Sequence, residues 1–123
     1  CGRLLAVLTH LQHRALGEIQ ADIVQRFYSS ASVTPGLVIG RLVAGAKPHL
    51  NKLSRTKQDA MVVWYEKQIA EIMQKIGVPP PNQLDFSGQT IFALGYYHQV
   101  SALFEKNAKE EKEVTYNGTE ESL

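Results

Sequence analysis

Cysteine is nearly missing from this chain. Cys1 stands alone, so no internal disulfide can staple the fold, nothing requires an oxidising compartment, and a cytoplasmic setting is the simpler expectation. No apolar run approaches the roughly 20 residues that a membrane-spanning helix needs, and no cleavable signal pattern opens the chain. A protein without membrane attachment and without export is expected. The nine glycines and five prolines are scattered rather than periodic, which excludes a collagen-like or low-complexity chain. There is no Gly-rich phosphate loop, no G-x-S-x-G elbow, and no Cys/His pair with an orienting acid. These absences argue against an enzyme and leave no cofactor to expect. Neither strand alternation nor an internal repeat is evident.

What is present is helical. A chain of 123 residues with 44% hydrophobic content fits one domain with one core. Leu4, Leu5, Val7, Leu8, Leu11 and Leu16 form a helical stripe that Gly17 is suited to end. Ile19, Ile23, Val24, Phe27 and Tyr28 make a second, shorter pattern, and Ser29 to Ser32 read as a loop. Thr34 followed by Pro35 is a helix-start signature. The helix it opens carries Leu37, Val38, Leu42, Val43, Ala46, Leu50 and Leu53, and is expected to bend or divide near Pro48, whose ring clashes with the Ala44 carbonyl. The clearest element runs from about Thr56 to Ile76, with Met61, Trp64, Tyr65, Ile69, Ile72, Met73 and Ile76 on one face, and stops at Gly77 and Pro79 to Pro81. A last helix capped by Asp85 or Ser87 should point Ile91, Phe92, Leu94, Tyr97, Val100, Leu103 and Phe104 inward, with Gly95 at a close helix contact. The expectation is an all-α compact bundle of about four to five helices over residues 1–107, and a flexible acidic tail over 108–123. The chain opens inside a helical pattern, so a preceding segment is expected.

The net charge of +1 conceals a division. Residues 1–104 hold ten Lys/Arg against six acids, whereas residues 105–123 hold three lysines against six glutamates. The sharpest local excess lies between Arg41 and Lys57, where Arg41, Lys47, Lys52, Arg55 and Lys57 stand with His49 and no acid. Such cations can neutralise phosphates, and Asn51, Ser54 and Thr56 can add neutral hydrogen bonds to phosphate oxygens. A solvated helix face is the plain alternative. Arg3, Arg14 and Arg26 would extend the patch if the first helices packed beside it.

Other chemistry-bearing residues read as structural. His10 and His13 are three apart on a helix, but no Cys, Asp or Glu in that segment completes a zinc set, so no metal is expected. His98 has the options of base, ligand or satisfied buried imidazole, of which the last is favoured. Trp64 and Tyr65, at helical spacing among Met and Ile, read as core rather than as a stacking platform.

The string CGRLLAVLTHLQHRALGEIQADIVQRFYSSASVTPGLVIGRL, from Cys1 to Leu42, and FALGYYHQ, from Phe92 to Gln99, resemble the C-terminal part of the large subunit of type I-C CRISPR interference complexes. In that family the helical region is also made separately from an internal start and serves as the small subunit. The resemblance implies a non-catalytic helical bundle in an antiviral RNA-guided complex, present in more than one copy. Its partners would be the large subunit, the backbone subunits, the guide RNA and the target DNA, including the displaced strand. Because the guide reads sequence by base pairing, backbone contacts suffice for such a subunit. An assembly module whose basic residues face protein or guide RNA, without DNA contact, is the alternative. The acidic tail and Pro48 depart from the family pattern.

Overall fold

A computed structural model describes residues 1–17, 21–77 and 80–121, with side chains through residue 105. Among the described residues six α-helices follow one another: α1 Gly2–Leu16, α2 Ile23–Val33, α3 Pro35–Ala44, α4 Ala46–Arg55, α5 Asp59–Ile76 and α6 Phe86–Glu121. The described residues contain no strand, and none of their helices is long and apolar enough to cross a membrane. The all-α bundle expected from periodicity is the fold.

The centre of the bundle is α1, which packs against α2, α4, α5 and α6. Its residues Leu4, Leu5, Ala6, Val7, Leu8 and Thr9 are buried in succession. A run of six covers every direction around a helix that advances 100° per residue, so α1 is enclosed rather than amphipathic. Leu16, placed on the stripe by spacing, is instead exposed at the helix end. Gly17 stops α1 at positive φ and sends its N–H to the His13 carbonyl.

The α2 segment departs from the expected loop. Asp22 and Gln25 form a reciprocal capping box that starts the helix, and the run Ser29–Ser32 continues it, with Ala31 and Ser32 buried. Small side chains there let neighbouring helices approach, which outweighs the modest helix propensity of serine. Thr34 ends α2 and precedes α3 at once. Its hydroxyl donates to the Ser30 carbonyl at 3.0 Å and makes no cap to α3, so Pro35 is the part of the start signature that acts on α3. The linker between α5 and α6 is tied down at the same junction: Gly36 N–H donates to the Pro81 carbonyl at 2.7 Å and Leu84 N–H to the Val33 carbonyl at 2.9 Å.

The division near Pro48 falls at Gly45, between α3 and α4. Gly77, at positive φ, ends α5 with its N–H on the Met73 carbonyl. Tyr65 is fully buried and Trp64 packs against the core, as their spacing predicts. Asp85, rather than Ser87, caps α6, accepting the Gly88 N–H at 2.8 Å.

The inward face of α6 is not the expected one. Phe92, Gln99 and Leu103 are buried and Tyr96 packs against the core, whereas Ile91, Leu94, Tyr97, Val100 and Phe104 are exposed. Both sides of this helix are apolar, so periodicity alone could not choose between them. Gly95 makes only ordinary contact with Arg3; the tight approach between α1 and α6 is at Gly2, where a Cβ would lie 2.0 Å from the Phe92 carbonyl oxygen. The expected boundary at residue 107 and the tail at 108–123 fall among residues whose side chains are outside the described set.

Candidate nucleic-acid interface

Helix α4 buries Ala46 and Leu53 and packs against α1, α3 and α5. At 100° per residue that choice turns Lys47, Pro48, Asn51, Lys52 and Arg55 outward, and all five are exposed. Ala44, Lys47, Pro48, Asn51 and Arg55 line a shallow recess of about 410 Å³. Lys47, Asn51 and Arg55 are spaced by four, so one ridge presents cation, amide and cation in order. Pro48 does two things here: it parts α4 from α3, and it supplies an apolar floor between the two cations.

Arg41, in the last turn of α3, and Lys57, just past α4, are also exposed. None of Arg41, Lys47, Lys52, Arg55 and Lys57 makes an ion pair or side-chain hydrogen bond with a described residue. Their charges therefore face solvent unneutralised. His49 lies at the inner edge of the same helix, half-buried. Burial first, and then the charge of Lys52, lowers its pKa below the ordinary histidine value.

The C-terminus of α4 is closed by a Schellman motif. Gln58 N–H donates to the Leu53 carbonyl and Lys57 N–H to the Ser54 carbonyl, with Lys57 at φ 61°, the position usually held by glycine. Lys57 is the only non-glycine residue at positive φ among the described residues. A lysine there bears backbone strain and in return projects a cation from the helix end.

Two of the three neutral partners expected for phosphate are otherwise engaged. Ser54 Oγ donates to Asp59 Oδ1 at 3.0 Å, and Thr56 Oγ1 donates to the Leu53 carbonyl at 3.0 Å. Asn51 alone of the three is open on the ridge. Asp59, at the start of α5, brings one acid to the rim of a segment that has none in its own sequence.

The second-rank cations lie elsewhere. Arg3 is half-buried between α1 and α6, its Nε donating to Gln99 Oε1 at 2.9 Å. Arg26 stands on α2, its guanidinium 5.2 Å from the Phe27 ring centre. Arg14 is exposed in the last turn of α1 and is already engaged in an interaction. Only the five cations of α3, α4 and the α4 cap form one contiguous stretch.

The histidines have separate duties. His10 Nδ1 meets the hydroxyl of buried Tyr65, and His13 Nε2 pairs with Asp22 Oδ2 at 2.8 Å, so the two imidazoles engage different partners. His98 is exposed, not a buried imidazole; the neighbouring Gln99 takes the interior position. The α6 face that turns inward accounts for both.

Comparison with protein families matches residues 1–104 to the model for CRISPR-associated protein (Cas_Csd1). Comparison with curated proteins finds no match.

Proposed function

The chain belongs to the CRISPR-associated Cas_Csd1 family, and from that premise we propose that it is a non-catalytic small subunit of a type I-C interference complex. In this reading it braces the complex and holds the unwound target DNA by its phosphates. The guide RNA reads the sequence, so the subunit needs backbone contacts and stacking-independent charge rather than base recognition. The observation that supports it best is the outer face of α4, where Lys47, Asn51, Lys52 and Arg55, with Arg41 and Lys57 at its ends, are exposed and unpaired.

The partners in this reading are the large and backbone subunits, the guide RNA and the target DNA with its displaced strand. The test is a salt series of single-stranded DNA binding by the purified chain and by the reconstituted complex. If about five phosphates are neutralised, log affinity falls against log salt with a slope near −3.5, at about 0.7 per contact. Lys52→Glu/Arg55→Glu/Lys57→Glu should remove most of that slope while the complex still assembles. A slope of zero in the wild type defeats the DNA role, and failure of assembly in the triple variant assigns the patch to protein or guide-RNA docking. His49 offers an independent readout. Phosphate beside Lys52 offsets the cationic field, so the His49 pKa should rise when oligonucleotide is added, followed by NMR.

A further inference from the structure

The face of α4 that carries the cations carries no ring on which a nucleobase could stack. From Ser29 to Val63 the sequence has no Phe, Tyr or Trp. His49, the one aromatic ring in that stretch, is half-buried at the inner edge of α4. Proteins that hold single strands combine a cationic track for the backbone with aromatic side chains that take the bases. Here only the track is present. Its spacing suits a backbone as well: Lys47, Asn51 and Arg55, all exposed, rise about 6 Å at each step along α4, close to the separation of neighbouring phosphates in one strand. Ala44 and Pro48 complete the shallow recess of about 410 Å³, and their side chains offer no donor or acceptor with which to read a base edge.

We propose that α4 holds single-stranded DNA with its bases turned away from the protein. Successive phosphates lie along Lys47, Asn51 and Arg55, about one per helical turn, and the bases stay in solvent, unstacked by the chain and open to pairing. The inference rests on the reading of α4 as a DNA-holding face and adds the way the strand is presented. Each side chain has its part. The two cations neutralise the outer phosphates, and the Asn51 amide donates to the one between them without adding charge. Arg41 and Arg55 are planar enough to lie on a base, but a guanidinium forked onto a phosphate is held in a different plane and with its donors spent. A surface built this way neither selects a sequence nor masks it. The strand held there keeps its ability to meet a complementary strand, which a stacking platform would deny it.

Permanganate oxidation of the thymines in a short oligothymidylate, free and saturated with the purified chain, tests it. Permanganate attacks an unstacked thymine from above the ring, so the bound strand should react at the rate of the free one. An abasic strand of equal length should bind within about twofold of the oligothymidylate, because no base contact is lost. Lys47→Gln and Arg55→Gln should each flatten the salt slope by about 0.7, Arg55→Lys should keep it, and Asn51→Ala should weaken binding severalfold with the slope unchanged. Thymines that become protected on binding, an abasic strand bound about tenfold more weakly, or an Asn51→Ala chain that binds as wild type would each overturn the proposal and leave the DNA-holding reading in place. If neither strand binds in a salt-dependent way, both fall together.

Discussion

Lys57 sits at a backbone position where a side chain is a burden. The left-handed conformation costs an L-residue roughly 1–2 kcal/mol, part of which glycine gives back through its freer unfolded chain. Lys57→Gly should therefore stabilise the fold by up to about 1 kcal/mol in urea denaturation, while lowering the salt slope of DNA binding by about 0.7 if Lys57 contacts phosphate. Tyr65 presents the opposite case. Its ring is buried and its hydroxyl reaches His10, so Tyr65→Phe keeps the packing, removes the bond to His10 and should cost about 1 kcal/mol. Asp22 adds pH dependence. Burial pushes its carboxyl up, but bonds from the Gln25 N–H and His13 outweigh that, and its pKa lies below the ordinary value. A depressed carboxylate stabilises the fold above its unfolded pKa of about 4 and loses that contribution as pH falls through the folded value. Asp22→Asn should thus be less stable than wild type at neutral pH and converge with it in acid, as followed by thermal melts.

At the scale of elements, the tie between the α2–α3 junction and the 81–84 linker depends on a missing side chain. A Cβ on Gly36 would lie 2.9 Å from the Pro81 carbonyl oxygen and 2.8 Å from Asn82 Oδ1. Gly36→Ala should cost about 1–3 kcal/mol as an overpacking change and speed amide exchange at Gly36 and Leu84. Elements of this kind were legible in the sequence where a local device set them: Gly17, Pro35, Gly77 and Asp85 each mark an end that the structure keeps. The serine run of α2 was not, because burial of Ala31 and Ser32 is decided by neighbours that local propensity does not include. The basic stretch was legible as charge. The use of Ser54 and Thr56 inside the α4 cap, and the arrival of Asp59 beside it, are local but turn on the left-handed conformation of Lys57, which a lysine does not mark in the sequence. The outward face of α6 was illegible for a different reason: two apolar stripes share one helix, and only contact with α1 distinguishes them.

The whole molecule is organised about α1, so damage there should not remain local. Leu5→Ala or Leu8→Ala, each at a fully enclosed site, should cost about 2–5 kcal/mol and lower the melting transition as a single cooperative event. The same enclosure has a consequence during synthesis. Within this chain α1 is made first, yet its wall at Phe92 to Leu103 is made last. At about 5–20 residues per second, the buried run of α1 waits several seconds for the segment that completes its cover. In that interval the side of α1 that Phe92 and Leu103 will cover stays open, so the core closes only when the last helix arrives.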